Sequence, residues 1–178
     1  LSMLDHDPGT SVIVVVSKPP AEQVRNEFRR ILAGLSKPCS VVFLGDRKKE
    51  RDGSVVYTTT LTDAAREAVR MCGIFADGAQ EEALPPQKRF SGMPKILGLY
   101  SGGTIASEAA FLIREALQIT DGQEKEGYLL ASSRCDILDL GDDLYTKGRP
   151  HPMMDSYMRK QKLAELASET RQPLIVLM

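Results

Sequence analysis

Ile96-Leu-Gly-Leu-Tyr-Ser-Gly-Gly-Thr-Ile-Ala-Ser-Glu-Ala-Ala-Phe111 changes its period in the middle. Ile96 to Tyr100 is an apolar run of strand length, and Ser101-Gly102-Gly103-Thr104 is a tight turn. From Ile105 the period becomes helical, with Ile105, Ala109, Leu112, Ile113, Ala116 and Leu117 expected on the inner face. The two glycines would let backbone approach a ligand that a Cβ keeps away. The exposed amides and dipole of a helix start favour an anion. An ordinary βα turn uses the same residues, and Gly-Gly alone does not separate the two readings. Ser101, Gly102, Gly103 and Thr104 are therefore candidate anion-binding residues.

Upstream, the same alternation occurs once already. Leu1, Met3 and Leu4 read as the last turn of a helix, and Ser11 to Val16 as a β-branched strand covered on both faces. Lys18-Pro19-Pro20 leads into a helix with Val24, Phe28, Ile31, Leu32 and Leu35 on one face. Cys39 to Leu44 and Val55 to Leu61 read as strands, separated by a charged loop. Thr62 or Asp63 caps a helix with Ala65, Ala68, Val69 and Cys72 inward, closed by Gly73. Lys18, at a strand end, is a further candidate for meeting an anion. Ala76 to Gly92 is polar, contains Pro85-Pro86 and holds no sustained period, which predicts a linker.

Downstream, Tyr128 to Ala131 and Asp136 to Leu140 read as strands, followed by a long loop. An Asp155-capped helix bearing Leu163, Leu166 and Ala167 comes next, then a strand from Leu174 to Met178. The expected fold is α/β, with parallel sheets in two flavodoxin-like domains. Residues 1–75 are the C-terminal part of a first domain, 76–92 a linker, and 93–178 the N-terminal part of a second. Each half is expected to be incomplete.

Composition narrows the function. The 178 residues carry a net charge of −1 and no long Lys/Arg block, which argues against a nucleic-acid binder. No apolar stretch approaches the roughly 20 residues of a membrane span. Cys39, Cys72 and Cys135 are odd in number and widely spaced, which predicts a reducing, cytoplasmic setting without disulfides or a zinc site.

The second chemistry-bearing stretch is Asp139-Leu-Gly-Asp-Asp-Leu-Tyr-Thr-Lys-Gly-Arg-Pro-His-Pro-Met-Met-Asp155. It follows a predicted strand, and open α/β sheets bind ligands beyond the carboxyl ends of their strands. Arg149 can fork onto a carboxylate or phosphate. His151, stiffened between two prolines, suits an oriented side chain, and an imidazole exchanges protons near neutrality. Asp142 or Asp143 would orient one of these two. The adjacent carboxylates could also hold Mg²⁺, although such pairs more often start helices. Tyr100, Met153 and Met154 are read as packing residues.

With Gly98-Leu-Tyr-Ser-Gly-Gly-Thr-Ile-Ala-Ser-Glu-Ala-Ala110, this second stretch, and Val-Ser-Lys-Pro-Pro-Ala-Glu at Val16 to Glu22, the chain resembles the FdrA family. That family is similar to succinyl-CoA synthetase and the NDP-forming acyl-CoA synthetases. The resemblance implies two ligase-like domains within a longer chain, with a CoA-binding-like domain ahead of this region. In the succinyl-CoA synthetase relatives a phosphohistidine loop follows the strand equivalent to Cys39–Leu44. Here Gly45 to Ser54 contains no histidine. The resemblance therefore implies retained anion binding at the glycine helix without the usual phosphoryl carrier. It also implies carbamoyl transfer of the oxamate and carbamoyl phosphate type, working with protein partners or as a homo-oligomer. CoA or carbamoyl phosphate would be the substrate rather than a covalently held cofactor. An NDP-forming ligase subunit and a non-catalytic regulatory subunit are the alternatives.

Overall fold

A computed structural model describes residues 1–74 and 93–178; the predicted linker, 76–92, lies outside the described residues. The chain divides into two compact units, one on each side of that segment. Each contains a four-stranded, mostly parallel sheet with helices packed on it.

In the first unit the elements are α1 (Ser2–His6), β1 (Ile13–Ser17), α2 (Glu22–Ala33), β2 (Cys39–Phe43), β3 (Glu50–Asp52), β4 (Val55–Thr58) and α3 (Leu61–Met71). The strand order is β1-β2-β4-β3. β1, β2 and β4 run parallel, while β3 is antiparallel to β4. β2 is the axis and all five of its residues are buried. Cys39, Val41 and Phe43 pack with Leu32 and Phe28 of α2. Ser40 lies on the opposite face, its hydroxyl donating to the Ala64 carbonyl of α3 at 2.9 Å.

Several expectations change here. β1 is an edge strand and is not covered on both faces. Val14 and Val16 pair with Ser40 and Val42 but remain 47% and 45% exposed. Val24 and Ile31 of α2 are likewise exposed; half-buried Arg25 and Arg29 take inward places that aliphatic residues were expected to fill. The last strand of this unit ends at Thr58, because Thr60 caps α3 by accepting the Asp63 N–H at 3.0 Å. Along α3, Ala64 is buried while Ala65, Val69 and Cys72 face out. The charged loop contains β3, turned back on β4 through Gly53 at φ +56°.

In the second unit the elements are β5 (Lys95–Tyr100), α4 (Gly103–Ala116), β6 (Tyr128–Ala131), β7 (Cys135–Asp139), α5 (Asp143–Thr146), α6 (Tyr157–Glu169) and β8 (Leu174–Leu177). The order is β6-β7-β5-β8, with β5 parallel to both neighbours and β6 antiparallel to β7. The wholly parallel sheets expected from sequence are thus mixed, with one antiparallel strand in each. Leu97 and Leu99 pack with Met158, Leu163 and Leu166 of α6. On the other face Ile96 and Tyr100 pack with Ala106, Ala110 and Ile113 of α4.

The inner stripe of α4 is therefore Ala106, Ala110, Ile113 and Leu117, while Ile105 and Leu112 are exposed. On the same face of β5, Gly98 makes room for its neighbours' side chains: a Cβ on it would meet Ile137 at 2.6 Å and Tyr100 at 2.7 Å. Ala167 of α6 is exposed, and this helix starts one residue later than expected, after Ser156. Met153 and Met154 are not packing residues, at 75% and 86% exposed. Among the described residues no helix is long and apolar enough to cross a membrane.

Candidate functional site

β5 and β7 are adjacent and parallel, and their carboxyl ends are locked by the Leu140 N–H donating to the Tyr100 carbonyl at 2.7 Å. The helices that follow them pack on opposite faces of the sheet, α4 on one and α6 on the other. That divergence opens a crevice at the strand ends, where such sheets bind ligands. The glycine turn and the Asp139–Asp155 loop both emerge there.

Gly102 is the N-cap of α4, and no side chain caps that end. Its φ of −170° is extended backbone that any residue adopts, and a Cβ on it would have nothing within 4 Å. Neither conformation nor packing asks for glycine at this position. Ser101 is half-buried, and its Oγ accepts a hydrogen bond from Nη2 of Arg159 in the first turn of α6. The Nε of Arg159 is buried and has no hydrogen-bond partner. An unsatisfied buried guanidinium N–H is costly, and in native proteins it commonly marks a place where water or a ligand completes the bonding.

His151 reaches the same place from the loop. A Cβ on Gly141 would stand 2.9 Å from His151 Nε2, 3.0 Å from the Ser101 carbonyl oxygen and 3.1 Å from Asp139 Oδ1. These three polar atoms converge on the space that Gly141 leaves. Asp139 is buried, and its Oδ1 accepts the Gly141 N–H at 3.0 Å. Nδ1 of His151 accepts the Met153 N–H at 3.2 Å. In the neutral ring the proton then sits on Nε2.

Other predicted residues stand apart from this convergence. Asp142 is the N-cap of α5, its carboxylate accepting the Leu144 N–H at 3.0 Å, and Asp143 is exposed in the first turn. Among the described residues no three acidic, histidine or cysteine side chains are grouped to hold a metal, so Asp142 and Asp143 do not by themselves form a Mg²⁺ site. Arg149 is exposed between α5 and α6, its backbone N–H bonded to the Thr146 carbonyl. Thr104 is exposed in the first turn of α4. Lys18 belongs to the first unit, exposed beyond the end of β1. Sequence reasoning missed Arg159 and the role of Gly141. In this topology a helix packed after a parallel strand begins at the strands' carboxyl edge, so an arginine in the first turn of α6 was the available signal.

No family model matches the sequence. Among curated proteins the chain is similar to an uncharacterized protein of Escherichia coli (strain K12), YahF. The two are 29% identical over 198 residues, covering 99% of this chain. The chain spans 37% of that relative's length.

Proposed function

We propose that the crevice at the ends of β5 and β7 binds a small carboxylate or a phosphate-bearing substrate and supports acyl or carbamoyl transfer. This is the chemistry implied by the resemblance to the FdrA family and its succinyl-CoA-synthetase-like relatives. The observation that carries it is the pairing of an unexplained Gly102 at an uncapped helix start with a half-buried Arg159 beside it, whose buried Nε is unsatisfied. The amides of Gly102, Gly103 and Thr104 hold the anion, and the Ser101 hydroxyl, steadied by Arg159, adds a donor.

The substrate is a carbamoyl or acyl phosphate, with CoA as the acyl carrier in the ligase-like alternative. A nucleophile attacks the carbonyl carbon, the bond to the phosphate oxygen breaks, and the phosphate leaves with the electron pair. His151 acts here as a hydrogen-bond donor through Nε2 rather than as a proton shuttle, because proton movement would need Nδ1 released from Met153. Arg149, exposed on the same loop, clamps the leaving group once substrate is bound. A partner protein or a second copy of the chain completes the enzyme in a cytoplasmic setting. The lack of histidine in residues 45–54 favours a second reading, a non-catalytic regulatory subunit that keeps only the anion site.

Gly102→Asp tests the proposal, because its carboxylate caps α4 and occupies the anion's place. Helix capping and the dipole should stabilise the variant by about 0.5–1 kcal/mol. Binding of carbamoyl phosphate, oxamate and acyl-CoA analogues, followed by calorimetry, should disappear. If the variant binds these as the parent does, the glycine turn is only a turn. Binding without turnover in the presence of every candidate nucleophile would favour the regulatory reading.

A further inference from the structure

The first unit carries a charged cavity that this reading does not use. At the carboxyl ends of β2 and β4, Phe43 and Tyr57 lie with ring centres 6.4 Å apart. The guanidinium carbon of Arg25 stands 5.1 Å from the Phe43 ring centre, and that of Arg29 4.5 Å from the Tyr57 ring centre. Arg25 forks onto Asp46 at 2.8 and 3.2 Å, and Arg29 onto Glu50 at 3.2 and 3.0 Å. Lys48 Nζ lies 3.3 Å from Glu50, its side chain 80% exposed. Together with Thr58 these side chains line a cavity of about 150 Å³.

A guanidinium has five N–H donors, and each fork here uses one on each terminal nitrogen. The Nε–H and the second N–H of each terminal nitrogen have no acceptor among the described residues. Stacking on the rings fixes the guanidinium planes, so these donors stay oriented. Both carboxylates are already matched by their own arginine, and Lys48 adds a third cation against two anions. If the two ion pairs served only to pin the β2–β3 connection to α2, neither the third cation nor the open volume would be needed. A volume lined by three cations against two carboxylates, with guanidinium donors left over, at the carboxyl ends of parallel strands is matched by an oxyanion.

We propose that this cavity is an oxyanion site, taking a phosphoryl or carboxylate group on Arg25, Arg29 and Lys48. It is separate in sequence and chemistry from the glycine turn, since no helix N-terminal amide is required.

The test uses the 178-residue chain carrying Gly102→Asp, so that the site on the second sheet does not contribute. Inorganic phosphate, methyl phosphate and acetate are titrated at constant ionic strength, with backbone amide shifts followed by NMR. Saturable binding in the millimolar range or tighter is expected, with shifts centred on Phe43 to Glu50. Lys48→Ala, at an exposed position, should weaken it about tenfold with unchanged thermal stability. Arg29→Lys, which keeps the charge and loses the fork, should weaken it further. Binding of all three probes marks a general oxyanion site, of the two phosphates alone a phosphoryl site, and of acetate alone a carboxylate site. Failure of all three to saturate, or equal binding by the parent and both variants, overturns the proposal.

Discussion

Gly141→Ala probes the convergence at the candidate site most directly. The φ of Gly141 is not positive, so the backbone accepts an L-residue and the cost is steric. The new methyl would stand 2.9 Å from His151 Nε2, 3.0 Å from the Ser101 carbonyl and 3.1 Å from Asp139 Oδ1. The histidine cannot simply swing away, because its carbonyl accepts the N–H groups of Met154 and Asp155 and its Nδ1 that of Met153. The Ser101 oxygen is backbone and must move with its strand end. Overpacking of this kind costs about 1–3 kcal/mol. The lower entropy of the unfolded alanine chain offsets roughly 0.4–1 of that. A net loss of about 1–2 kcal/mol should lower the melting of a unit this size by roughly 5–15 °C. Scanning calorimetry measures it, the relevant transition being the one that also drops in Leu99→Ala, a core variant of the same unit. His151→Ala in the Gly141→Ala background should recover only part of the loss, with a coupling of about 1 kcal/mol, because the Ser101 contact remains. A Gly141→Ala protein as stable as the parent would refute the convergence of these atoms.

The remaining predictions concern the frame. Thr60→Ala removes the α3 cap and should cost about 1 kcal/mol by denaturant titration, while Thr62→Ala, at one of the two positions the sequence offers as the cap, should cost little. Burial pushes the Cys135 thiol up to about 11 and raises that of Cys39, whereas Cys72 is exposed. A thiol reagent at pH 8 should therefore label Cys72 at once and the other two only on unfolding; rapid labelling of Cys135 would contradict its placement. The hydrogen bonds from Arg29, then from Lys48, hold the Glu50 carboxyl down at about 2. With an unfolded value near 4.3, the stabilisation is present above that pH and is lost as pH falls towards 2. The stability gap between parent and Glu50→Gln should close over this window, and parallel acid-unfolding curves would count against the Arg29 fork.

Periodicity located most strands and helices of both sheets, because buried strands such as Cys39–Phe43 are largely apolar runs, broken there only by Ser40. It misplaced helix faces where packing rather than hydrophobicity chose the inner stripe. Ala106 and Ala110 face the sheet together with Ile113 and Leu117, while Ile105 and Leu112 are turned outward. β3 was hidden by its own charges, which suit an exposed edge strand, although Asp52-Gly53 is the turn signal that would have found it. At the site, the glycine turn and His151 were legible as motifs. Arg159 was not, since a single arginine in a helix carries no period, and what singles it out is burial. Asp142 and Asp143 were legible as a helix start, and Asp142 is the N-cap of α5.

Local rules are broken together at the carboxyl edge of the second sheet, and the coincidence bears on whether the chain is an enzyme or a scaffold. Gly102 sits where a serine or aspartate would cap α4 and where no clash forbids one. Arg159 buries an Nε without a partner, although a leucine there would avoid that cost. Gly141 keeps open a space that three polar atoms approach, and even an alanine methyl would overfill it. The first two choices lower stability by an amount selection for folding alone would tend to remove. A surface that only docks a partner gains nothing from an uncapped helix start beside a half-buried guanidinium with an unsatisfied Nε. A site that must accept an anion gains from all three features at once: close backbone approach, a waiting donor and room beside His151.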